Sequence, residues 1–78
     1  MDKQDIELIE ELLSENEDLA SLWREHQQLD MQLDAMGQRS YLSPQDEQEL
    51  KRLKKIKLAG RDRIETILAN YRQENPEA

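Results

Sequence analysis

His26 is the only histidine of the chain, and so the first residue to weigh as a catalyst or a ligand. An imidazole can move a proton near neutral pH or bind a transition metal. Either use needs company. A structural zinc site takes four ligands, and this sequence offers no cysteine and no second histidine. No nucleophile–base–orienter set is visible either. The plainer role for His26 is a partly buried polar side chain that fixes helix register. Asp30 and Asp34 stand four residues apart, so their carboxylates share one helical face. Such a pair can do acid–base work or hold a hard cation. The plainer reading is a solvated face, or one that meets bases of a second helix. No catalytic, cofactor-binding or metal-binding residue is assigned, and no cofactor is expected.

Seven of the eleven bases fall in one run: Lys51, Arg52, Lys54, Lys55, Lys57, Arg61 and Arg63. A basic run can neutralise nucleic-acid phosphates. On a helical wheel, however, these bases spread around most of the circumference instead of forming one stripe. No aromatic residues interleave to stack on bases. Residues 1–37 carry eleven acids against Lys3 and Arg24, a net −9, while residues 38–78 come to +2. Pairing of the basic run inside the molecule, or with a protein partner, is therefore expected. Nucleic acid is not expected as a partner. An accessory protein that uses Lys51–Arg63 on RNA or DNA is the alternative.

The elements that must position these residues come from the apolar spacing. Leu19, Leu22, His26, Leu29, Leu33 and Met36 follow at intervals of 3, 4, 3, 4 and 3. Leu50, Leu53, Lys57, Gly60, Ile64, Ile67 and Tyr71 repeat the rhythm after a turn. Each set lies on one narrow helical face. Together with Trp23 and Ile56, the two stripes form the expected seam of an antiparallel, coiled-coil-like two-helix hairpin. Leu19, Leu22, Leu29 and Leu33 are expected to face Leu53, Ile56, Ile64 and Ile67. Gly60 on the seam predicts close approach by Trp23 or His26, with a hinge as the alternative.

Boundaries follow from caps. The first long helix is expected over residues 17–37, ending at Gly37, a residue type common at helix C-termini. Ser43-Pro44 followed by Asp46 and Glu47 is a strong start signal, which places the second over residues 44–72. Residues 5–14 read as a short amphipathic helix with Ile6, Ile9 and Leu13 on one face. A break or bend is expected near residues 14–17, capped by Ser14 or Asn16; one continuous helix is the alternative. The class is all-α, a single domain over residues 1–78.

Composition sets the outer bounds. With 36% hydrophobic residues, one Trp, two Tyr and no Phe in 78 residues, the chain can supply only a thin core. Small scaffolds without a disulfide or metal staple often oligomerise. A homodimer or higher oligomer, or another helical protein, is the expected partner. The face of Ile6, Ile9 and Leu13 either folds across the hairpin or meets another copy, with Met31 and Leu58 as outer anchor points. The start of the chain does not read as a signal peptide, and no stretch approaches the roughly 20 apolar residues of a membrane span. A cytoplasmic location is the default.

The strings WREHQQLDMQLDAM and SPQDEQELKRLKKIKLAGRDRIETIL also carry a resemblance. With the step Leu29-Asp30 and the run Lys57-Leu58-Ala59-Gly60-Arg61-Asp62-Arg63-Ile64, the chain resembles the YdcH-like family of small bacterial proteins over most of residues 5–68. It departs from that pattern at Arg61, where the family has Lys, and at Arg63, where it has an acid. The pair Ala59-Gly60 is a further departure. The resemblance implies a bacterial helical hairpin. It implies no activity, cofactor or catalytic residue.

Overall fold

Three side-chain oxygens punctuate the chain. Asp2 accepts from the Asp5 amide at 2.9 Å, Asn16 from the Leu19 amide at 3.0 Å, and Ser43 from the Asp46 amide at 3.1 Å. Each satisfies one of the free N–H groups at a helix start. The computed structural model, which describes residues 1–76, accordingly contains α1 (Lys3–Leu12), α2 (Glu17–Gly37) and α3 (Pro44–Glu74). No strand occurs among the described residues.

Between α1 and α2 the amides of Glu15 and Asn16 both return to the Leu12 carbonyl, at 3.0 Å each. The helix ends there, and the extended backbone of Asn16 sets a new direction. At the other junction Ser43 and Asp46 form a capping box, with the Ser43 amide donating to Asp46 Oδ2 at 3.3 Å. Arg39 reaches the same carboxylate at 3.5 Å. Gly37 does not use its freedom: α2 closes through Gln38 in ordinary right-handed backbone, and no described residue has a positive φ. The end of α3 is held by the amide and the side-chain amide of Asn75, both donating to the Tyr71 carbonyl.

Packing is concentrated at one end. Ile9 and Leu12 of α1, Leu19 of α2, and Ile64 and Leu68 of α3 make one buried cluster, with Met1, Leu8, Leu13, Leu22, Trp23, Ile67 and Tyr71 around it. Farther along α2 and α3 only His26, Met36 and Leu53 are buried. The molecule measures 49 × 20 × 17 Å, and its radius of gyration of 15.0 Å exceeds the roughly 11.5 Å of a compact chain this long. The long dimension is that of α3, whose 31 residues span about 46 Å.

Four expectations need correction. Ile56 is not sealed into the α2–α3 contact but is 42% exposed. Gly60 admits no close neighbour: a Cβ there would meet nothing within 4 Å, so neither Trp23 nor His26 presses on it. Of the two courses expected for the face of Ile6, Ile9 and Leu13, folding back holds for Ile9, which is fully buried where α1 meets the other two helices and so is not an open partner surface. Leu12 and Leu68, outside both expected stripes, belong to the core.

Candidate functional site

At the edge of the core, Trp23 and His26 of α2 stack. Their ring centroids are 5.6 Å apart and the planes differ by 11°. One helical turn separates them on α2, so a shared face brings the rings together. His26 is only 8% exposed, and its Nε2 lies 3.8 Å from Asp30 Oδ2. The second Asp30 oxygen pairs with Lys57 of α3. Nδ1 of His26 is buried without a hydrogen-bond partner. Burial holds the imidazole below its ordinary value of 6.5; Asp30 opposes this, while Lys57, the N-terminal amine and Arg61 add to it. The ring is thus kept neutral within a small ion-paired cluster.

Asp34, the other carboxylate of the expected pair, is exposed and has no ion-pair partner among the described residues. No group of three metal-ligating side chains gathers among the described residues. Among them, too, no helix is long and apolar enough to cross a membrane.

The rest of the seam divides by depth. Leu19, His26, Met36, Leu53 and Ile64 are buried, while Leu22, Trp23, Leu29, Leu33, Leu50, Gly60, Ile67 and Tyr71 are half-buried. Of the other partner-surface residues, Ile6 and Leu13 are half-buried, whereas Met31 is 71% and Leu58 57% exposed. The basic run is not mainly paired across the molecule, as its setting beside an acidic helix suggested. Only Lys57 reaches α2. Arg52 pairs with Glu49 and Arg61 with Glu65 on the same helix, and the Arg52 contact holds the Glu49 carboxyl below its ordinary value. Lys51, Lys54, Lys55 and Arg63 have no carboxylate partner among the described residues.

Sequence reasoning missed two further features. Arg72 donates to Asp5 at 2.8 Å and ties the end of α3 to α1; two opposite charges 67 positions apart give no local signal. A groove of about 500 Å³ between α2 and α3 is lined by Asp18, Ser21, Leu22, Arg63, Thr66 and Ile67. Leu22 and Ile67 were on the expected stripes and Arg63 was in the basic run, but Asp18 was not singled out.

No curated protein and no solved structure is significantly similar to the chain. A family model described as a protein of unknown function, DUF465, matches residues 19–68. That stretch takes in most of α2 and α3 and leaves α1 outside, and on this match the chain belongs to the DUF465 family, in which the YdcH-like proteins also fall.

Proposed function

We propose that this protein is a non-enzymatic interaction module, an antiparallel hairpin of α2 and α3 with the short α1 folded across one end. Its partners are further copies or another helical protein, and its setting is the bacterial cytoplasm. The antiparallel pairing is supported by two contacts between α2 and α3 or the segment joining them. Arg39, just beyond α2, meets Asp46 in the first turn of α3, and Asp30, earlier in α2, meets Lys57, later in α3. The observation that carries the functional reading is the uncovered apolar surface of the two-helix half: Leu29 and Leu33 half-buried, Ile56 and Leu58 exposed. Aliphatic residues on an elongated helix pair suit helix-on-helix recognition, with charges setting register.

The hairpin is tested by pairing Asp30→Cys with Lys57→Cys. The chain has no other cysteine, so a disulfide formed within a monomer reports the contact directly. The module is tested by dilution: association makes the melting temperature rise with protein concentration. A monomer whose melting is independent of dilution, and which captures no helical protein from its host, overturns the reading.

A second reading keeps a foothold in Lys51, Lys54 and Lys55, exposed bases of α3 without carboxylate partners among the described residues. It is a nucleic-acid-associated accessory role. Titration with an RNA or DNA oligomer at two salt concentrations decides it, since phosphate contacts weaken steeply with salt. Tight, salt-sensitive binding lost on charge reversal at these lysines supports it.

A further inference from the structure

The groove lined by Asp18, Leu22, Arg63 and Ile67 receives no residue from α1. Leu22 and Ile67 touch the core yet stay half-buried. Asp18 of α2 and Arg63 of α3 both line it, and neither makes an ion pair among the described residues. We propose that a second copy of this chain docks on this groove, with a two-fold axis running along the hairpin, so that α2 of each copy lies over α3 of the other. The arrangement rests on the antiparallel pairing proposed above.

The charges choose the occupant. Rotation about that axis exchanges the two helices and leaves the level along the hairpin unchanged. Asp18 of each copy then faces Arg63 of the other, and two unpaired charges become two ion pairs around a closed apolar centre. The whole helices agree: α2 carries five acids and one base, α3 eight bases and six acids. A partner helix of one sign would leave either Asp18 or Arg63 unmatched, and so would a phosphate backbone.

Area points the same way. The chain exposes 6137 Å², against about 5,000 Å² for a compact monomer of its 9.3 kDa. The excess is larger than the roughly 800 Å² each partner gives to an ordinary interface. The same face continues beside Leu29 and Ile56 between Glu25, Gln28 and Gln32. A second copy therefore covers Ile56, the seam residue the monomer leaves exposed.

Sedimentation equilibrium on the full chain tests this with Asp18→Arg, Arg63→Glu and their mixture. The wild type is expected to be dimeric. Each reversal alone places like charges at both contacts and weakens the dimer about tenfold or more. An equimolar mixture of the two variants has opposite charges at both contacts, and is expected to recover wild-type association as a mixed dimer. Both positions are exposed, and circular dichroism verifies that each variant folds; Asp18→Asn and Arg63→Gln serve if a reversal unfolds the chain. A wild type that is monomeric at roughly 100 micromolar overturns the proposal and leaves only a different helical protein as partner of the module. A dimer indifferent to both reversals, or a mixture that stays dissociated, overturns this surface while leaving self-association intact.

Discussion

Around Leu19 and Ile64 three helices contribute to one core, and both residues are fully buried together with Ile9. Around Leu29 and Ile56 only α2 and α3 are present, and side chains of the same kind stay partly wet. The residue types do not explain this difference. Two helices touch along a line, so each apolar stripe keeps one flank in water. A third helix closes a triangle and can seal that flank. Burial of an aliphatic side chain is worth about 1.5–3 kcal/mol when complete, so the short α1 decides where this chain stores its stability.

The strongest way to break the comparison is to truncate matched side chains at the two ends. Ile64→Ala is expected to cost about 2–5 kcal/mol, as for a fully buried aliphatic residue. Equal losses for Ile64→Ala and Ile56→Ala in urea denaturation would show that the ends do not differ.

A smaller loss concerns the boundary between them. His26 is held neutral when folded because burial disfavours the imidazolium. Its stabilising neutrality is complete above about pH 6.5 and is lost as pH falls from there toward the lower folded value, because the unfolded chain takes up a proton that the folded one refuses. Melting temperature is expected to fall between roughly pH 7 and 5.5, and the fall should shrink in His26→Gln. A slope unchanged by that substitution would move its origin to other groups.

In the thin half the expected sign reverses. Gly60→Ala adds a methyl where nothing lies within 4 Å. It should stabilise by up to about 1 kcal/mol, the helix-propensity difference; a lower melting temperature would reveal contacts the open space does not provide. Ile56→Ser is expected to cost about 1–2 kcal/mol in a monomer, less than Ile64→Ala, because the side chain is already 42% exposed. Measured at concentrations that favour association, the same substitution should cost more.

The helix starts were legible because capping is local. Asn16 and Ser43 act through amides three residues away, within reach of any reading of neighbouring residue types. The all-α class followed from spacing for the same reason. The depth of each stripe was not legible. Leu68 follows Ile64 by four residues and Leu12 sits beside the expected face of α1; both are buried only because three helices meet there, which broadens the apolar face beyond a two-helix stripe. Gly60 misled in the opposite direction, since a small residue on a seam says nothing about whether the facing helix comes close. Asp18 looked like an ordinary surface charge and Arg63 like one more base of the run, and only their shared groove makes them a pair to consider.

The contact between Arg39 and Asp46, with the capping box at Ser43, joins residues only a few positions apart. Closing so short a loop costs little chain entropy, whereas the Arg72–Asp5 contact must bring together residues 67 positions apart. The order of assembly is therefore expected to run against the distribution of strength. The loosely packed turn forms in the folding transition state, and α1 docks afterwards. Substitutions at Ser43 should slow folding, while those at Ile9 should mainly quicken unfolding. Stopped-flow chevrons that assign both to the same limb would remove that inversion. With it in place, the end that holds the molecule together is the last to arrive, and its departure sets the lifetime of the fold.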